Sequence, residues 1–336
     1  MLIVTEAGLK LLFPEGIRSN QLYGWEWLTE DPVLGWRNQP GYRHPHFQIN
    51  SMGQRGPEIE RKKPENTLRI LCLGDSRTFG IRQAMGKYLF DNDYPSILQA
   101  LISERSASKR VEVLNAGVIG YTSAHGLRAL QCGLLEMEPD ILVVAFGFNE
   151  FLLSWTPEKR IQEPVHPLTR RLFYSLLPLR TFQLLLSGYR KLPFLHPRPA
   201  ERRWVTQEEY ARHLRRFVEI ARENTIRIVF LNQPLRDAAL GETIPALPSK
   251  EMSNSYQIMG VRDRGEIDHY LKLYDTILFN VAARMGVPVV DGASAFGKKS
   301  DFPLFDPYDL VHANRHGAQV LAEALLGELA RLGYVE

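Results

Sequence analysis

The stretch LCLGDSRTFG, residues 71–80, opens as a buried strand and closes on a glycine, so Ser76 stands where the chain turns. A serine there can do one of two jobs. Either it or Asp75 caps a helix by accepting a free backbone N–H, or its hydroxyl attacks a substrate, which at neutral pH requires a base to take its proton. A supported base occurs far along the chain, in FDPYDLVHANRHG, residues 305–317. Asp309 and His312 are three apart, a spacing that puts both side chains on one face of a helical turn. The carboxylate could take one imidazole N–H and leave the other nitrogen to accept the Ser76 proton. Most histidines are surface or core residues, and His312 is set apart by Asp309 and by its place after the last strand. Acyl transfer also needs donors aimed where a tetrahedral intermediate develops its negative oxygen. The backbone N–H groups of Ser76 and Gly117 and the side-chain amide of Asn149 could supply three. Turn glycines and an asparagine bonding its own loop account for each of these residues separately, but not for their shared position at strand ends.

The elements that must bring these residues together are legible as hydrophobic runs. LRILCLG, VEVLNAG, ILVVAFG, IRIVFLN and VPVVDG are short and almost wholly apolar, the pattern of parallel strands covered on both faces. Helical patterns lie between them: YPSILQALISER, TSAHGLRALQCGLLEME, TQEEYARHLRRFVEIAREN and EIDHYLKLYDTILFNVAARMG, with RHGAQVLAEALLGELARLG closing the series. Alternation of this kind predicts an α/β fold, a three-layer doubly wound sheet of five parallel strands. In the flavodoxin-like order 2-1-3-4-5, the ends of strands one, two and three meet at the switch point, where such sheets bind ligands. Residues 1–65, rich in Trp, Pro, Gly and Asn with little periodicity, are expected to form a wrapping arm, and residues 66–336 a single catalytic domain. That domain carries insertions at 151–204 and 235–264, both too long for plain connections and both beginning at strand ends.

GDSRTFG, NAG, GFNE and DLVH resemble the four blocks of the SGNH hydrolase superfamily, the GDSL-type esterases and lipases, in their usual order across residues 68–330. The resemblance implies Ser76 as nucleophile, the Ser76 N–H with Gly117 and Asn149 as oxyanion donors, and Asp309 with His312 completing a triad. INSMGQRG, residues 49–56, resembles a subset of these proteins, many of them membrane-tethered or exported. Two positions depart from the pattern. Glu150 stands where the family usually has Asp, one methylene shorter, and is expected to alter the support of the site. Arg77 replaces a more common apolar residue and is either a surface arginine or a group at the pocket mouth favouring an anionic substrate. Arg77 and Glu150 are therefore the candidate substrate-contacting residues.

Composition narrows the rest. Apolar residues make up 44% and charged residues 24% of the 336, the balance of a globular protein. With 41 basic and 38 acidic residues, the net charge of +3 gives no case for nucleic acid. Cys72 and Cys132 lie in apolar patterns and are expected to be buried rather than bridged. No apolar run reaches the ~20 residues that span a bilayer, and MLIVTEAGLKLLFPEG lacks the basic lead and cleavage pattern of a signal peptide. The expected compartment is cytoplasmic by default, or membrane-tethered or exported if an upstream segment was removed. His44 and His46 lack acidic or Cys partners at ligand spacing. No glycine fingerprint for a dinucleotide or nucleotide phosphate is present, so neither a metal nor any other cofactor is expected. From Glu158 to Arg203 there are ten Lys or Arg against three Glu, interleaved with apolar clusters. This stretch reads as a lid over an acyl pocket, as a peripheral membrane contact, or as an insertion packed on the sheet. The predicted function is a serine esterase acting on a small-molecule, carbohydrate or lipid ester. The alternatives are an O-acyltransferase or carbohydrate deacetylase with the same triad, and an idle membrane- or envelope-associated binding protein. Nothing in the pattern fixes the oligomeric state.

Overall fold

The structure is a computed structural model of the chain, described here for residues 2–12, 25–31, 33–105, 110–152, 168, 172, 175–176, 179–190, 203–236, 261, 263–297, 302–307 and 309–335. Its chain divides into two compact units, residues 1–39 with 154–202, and residues 40–153 with 203–336. The boundary differs from a simple arm ending at residue 65. Residues 40–65 belong to the larger unit because their backbone is tied into it, for example by the Arg55 N–H donating to Asn115 O at 3.0 Å.

The larger unit is built on five strands: β1 (Thr67–Gly74), β2 (Arg110–Gly117), β3 (Ile141–Ala145), β4 (Arg227–Asn232) and β5 (Val289–Asp291). All pair in parallel, in the spatial order 2-1-3-4-5. Ile70, Leu71, Cys72 and Leu73 in β1, and Ile141 through Val143 in β3, are completely buried, which is why these strands read as continuous rather than alternating apolar runs. One polar intruder, Arg69, is also completely buried. Its guanidinium pairs with Glu112 at 2.6 Å and donates to the carbonyls of Glu60, Arg61 and Met137, so a cation that would be costly alone is fully engaged.

Helices cover both faces: α1 (Ser76–Phe79), α2 (Tyr94–Arg105), α3 (Ser123–Gln131), α4 (Gln207–Glu223), α5 (Arg264–Met285) and α6 (Arg315–Arg331). Four of them follow the sequence pattern closely. Starts are set by caps, as at Thr206, whose hydroxyl accepts the Glu209 N–H while Glu209 returns a bond to the Thr206 N–H. The third pattern, residues 122–138, does not run as one helix. α3 ends at Gln131, Gly133 intervenes, and a separate 3₁₀ turn spans Leu134–Met137. A glycine inside a helix sacrifices backbone entropy that a turn does not.

Two small antiparallel hairpins flank the sheet, Arg43–His44 with Phe47–Gln48, and Arg82–Ala84 with Lys87–Leu89. In the first, the His44 ring stacks on Phe47 with centroids 4.7 Å apart, and its Nδ1 accepts the His46 N–H. Those two histidines thus build a turn. Among the described residues no three His, Cys, Asp or Glu are grouped to hold a metal. Cys72 is buried, Cys132 is half-buried, and both are free thiols.

The smaller unit contains a helix at Leu2–Leu12, a hairpin of Leu28–Asp31 with Gly35–Asn38, and a helix at Arg180–Arg190. Glu6 caps the second helix from the first, accepting the Arg180 N–H at 2.8 Å and the Thr181 N–H at 2.9 Å. Most of the insertions at 151–204 and 235–264, and with them most of the basic stretch 158–203, lie outside the described residues. Among the described residues no helix is long and apolar enough to cross a membrane.

Candidate active site

The capping question is answered at the end of β1. Asp75 is the cap of α1, its carboxylate accepting the Arg77 N–H at 2.9 Å. That leaves the Ser76 hydroxyl for other work. Ser76 is half-buried at the first position of the turn, and its Oγ lies 3.0 Å from His312 Nε2. On the other side of the ring, Nδ1 lies 3.0 and 3.1 Å from the two carboxylate oxygens of Asp309. With Asp309 ionised, Nδ1 carries the hydrogen and Nε2 is the acceptor facing Ser76.

Asp309 is held on all sides. Its Oδ1 accepts the backbone N–H groups of Val311 and His312 at 3.0 and 2.9 Å, and its Oδ2 accepts the Gln83 N–H at 2.7 Å. Burial pushes this carboxyl upward, but the His312 ring and these N–H donors outweigh burial and keep it below the usual carboxylate range. The Gln83 bond comes from the hairpin Arg82–Leu89. Arg82 anchors that hairpin, pairing with Asp91 at 2.7 Å and with Asp306 on the loop that carries Asp309. Sequence reading missed this hairpin, because its contribution is a backbone N–H that any residue except proline could offer.

Asn149 follows β3 and is buried; one amide hydrogen goes to Tyr121 O at 2.8 Å, and an NH₂ group has a second to give. Gly117 is placed differently from the expectation. Its N–H donates to Asn115 Oδ1 at 3.0 Å, and a Cβ added there would come within 2.2 Å of the Phe79 nitrogen. The missing side chain admits the backbone of α1 rather than a substrate. Three residues on, Gly120 is half-exposed at φ +78° in a turn closed by the Tyr121 N–H to Val118 O bond of 3.2 Å. Its own N–H takes no part in that closure. The signal for Gly120 was present in the sequence NAGVIG, where a second glycine follows the first.

Arg77 and Glu150 are both buried and bonded to protein groups rather than standing at a pocket mouth. Arg77 is 7% exposed; its guanidinium pairs with Asp75 at 2.9 Å and donates to Gln233 O at 3.0 Å, over the Phe148 ring. Ser76 and Arg77 are neighbours on one helical turn, so they point about 100° apart, one outward and one into the protein. Glu150 is completely buried and accepts the Ser123 N–H at 2.7 Å and the Gly147 N–H at 3.0 Å. Burial pushes it up to about 7. It stitches the start of α3 to the turn that presents Asn149.

A five-stranded parallel sheet with a serine, a histidine and an aspartate in hydrogen-bonded sequence beyond its carboxyl edge is the scaffold of a hydrolase. The chain belongs to the GDSL-like lipase/acylhydrolase family, whose model matches residues 72–320, and it is an ester-hydrolysing enzyme. No curated protein matches it. Among solved structures it is similar to an alpha/beta hydrolase from the metagenome of Lake Arreo, Spain, at 21% identity and TM-score 0.47, covering 80% of this chain and 96% of that one. It is also similar to a lipase/acylhydrolase from Enterococcus faecalis, at 17% identity, TM-score 0.48 and coverages of 80% and 97%. A catalytic mutant of an acetylxylan esterase from Geobacillus stearothermophilus matches at 16% identity, TM-score 0.46 and coverages of 78% and 94%.

Proposed function

We propose that this enzyme cleaves carboxylic O-acyl esters through a covalent acyl-enzyme on Ser76. The observation that carries the reading is the unbroken relay from Ser76 Oγ to His312 Nε2 at 3.0 Å and from His312 Nδ1 to Asp309 at 3.0 Å. His312 Nε2 takes the Ser76 proton as Oγ bonds to the ester carbonyl carbon, and the carbonyl π pair moves onto oxygen. The oxyanion is met by the Ser76 N–H, the second Asn149 amide hydrogen and the Gly120 N–H, in place of the Gly117 N–H expected from the sequence. Collapse expels the alkoxide, which takes the proton from His312. Water then repeats the sequence, with His312 as its base, and releases the acid. Asp309 stays ionised throughout and supports the imidazolium.

The test is mass spectrometry after fluorophosphonate treatment, with turnover of p-nitrophenyl esters of increasing chain length. Labelling confined to Ser76 and loss of turnover in Ser76→Ala are the expected results. A folded parent chain that is neither labelled nor active would overturn the reading.

A further inference from the structure

Residues 49–56, INSMGQRG, stand outside the triad and the oxyanion donors, yet one of them reaches the nucleophile's helix. The Arg55 guanidinium is buried. Its Nη1 donates to Phe79 O and to Gly80 O, both at 2.6 Å, its Nη2 donates to Phe90 O at 2.5 Å, and its Nε lies 3.3 Å from Asp93 Oδ2. The rings of Phe47 and Phe79 lie 5.5 and 5.2 Å from its central carbon. Asp93 in turn accepts from Asn115 Nδ2 at 2.9 Å, and the same amide nitrogen donates to Thr78 O at 2.9 Å. Three consecutive carbonyls, those of Thr78, Phe79 and Gly80, are thereby met by fixed donors.

The need for such donors is physical. α1 has four residues, and a single helical turn is not stable by its own hydrogen bonds. Its terminal carbonyls have no partners within the helix, and Gly80 ends it in a left-handed conformation at φ +86°. Asp75 secures the first end of the turn. The second end rests on a cation at a helix C-terminus, where positive charge is favourable, and that cation is neutralised by a buried carboxylate.

We infer that Arg55 is a positioning residue of the active site: it locks the far end of the nucleophile's turn and so keeps Ser76 Oγ within reach of His312 Nε2. The inference rests on the reading of Ser76 as the nucleophile. Lysine cannot substitute, because a single ammonium does not span the carbonyls of Phe79, Gly80 and Phe90 as a planar fork does.

The test uses the full chain and its Arg55→Lys and Arg55→Met variants, with three readouts: amide hydrogen exchange across residues 76–81, the fluorophosphonate labelling rate at Ser76, and kcat and KM on p-nitrophenyl acetate. Arg55→Lys is expected to unfold cooperatively and to exchange the α1 amides about tenfold faster with the strands unchanged. Labelling rate and kcat should fall together by about tenfold with KM unaltered, and Arg55→Met should fall further. Parent-like exchange and labelling in both variants would overturn the inference. Loss of the fold in both would overturn it too, by making Arg55 a support of the whole domain. An unlabelled Ser76 in the parent chain would instead overturn the esterase reading, while exchange at α1 would still decide the role of Arg55.

Discussion

At the scale of single residues, the proposed mechanism gives Asn149 a role whose removal is expected to separate chemistry from binding. Asn149 has one amide hydrogen fixed on Tyr121 O, which orients the other without need of a substrate. Asn149→Ala is therefore expected to lower kcat by about 10² to 10³ with little change in KM, measured by steady-state turnover. Equal kcat in variant and parent would exclude the amide from the oxyanion site. Ser76, His312 and Asp309 were legible in the sequence because each sits beside a strand end or at a helical spacing. Arg77 and Glu150, candidate substrate contacts, are buried instead, because neighbouring positions on a one-turn helix point about 100° apart and composition carries no phase for so short an element, while the expected part of Glu150 in supporting the site agrees with its bonds to the Ser123 and Gly147 N–H groups. The sequence reading named Gly117 alone as a donor, and the structure gives that glycine a packing role instead. Two glycines in NAGVIG serve two purposes, close approach of α1 and a left-handed turn, and only the backbone path tells them apart.

At the scale of elements, the strands and four of the helices follow directly from apolar periodicity, since burial on both faces leaves an unbroken hydrophobic run. The small hairpin Arg82–Leu89 gave no such signal, yet it completes the support of Asp309 through the Gln83 N–H at 2.7 Å. This N–H points away from the hairpin ladder, so a proline at 83 removes one bond to Asp309 and leaves the pairing of the hairpin intact. Gln83→Pro is expected to fold normally and to lose about tenfold in kcat, since a hydrogen bond to a charged group is worth about 1.5–3 kcal/mol. Gln83→Ala, which keeps the N–H, should retain parent activity. Similar kcat values for the two variants would show that the bond does not matter to turnover.

At the scale of the whole molecule, buried titratable groups set how stability responds to pH. Burial raises Glu150 to about 7, so between its ordinary value of 4.5 and about 7 the folded protein holds a proton that the unfolded chain has lost. This contribution makes stability fall as pH rises. Burial lowers His213 to about 4, so between about 4 and 6.5 the unfolded chain holds the extra proton, and this contribution makes stability rise with pH. The two slopes oppose each other over nearly the same window. Relative to the parent, Glu150→Gln should therefore gain stability as pH is raised from 4.5 to 6.5, and His213→Gln should lose it. Urea midpoints at three pH values across that range check both signs, and slopes parallel to the parent's in either variant would remove that group from the balance.

The contact between Ser76 and His312 joins residues 236 positions apart, and on the proposed mechanism both must be made before the serine can react. During synthesis β1 and the serine turn leave the ribosome early, while the imidazole that activates the serine is still unmade. A nascent chain can complete four strands of its sheet and remain chemically silent. On the proposed mechanism, turnover requires that the loop after β5 has been made and has docked beside β1, so a chain truncated before residue 312 is expected to be inactive.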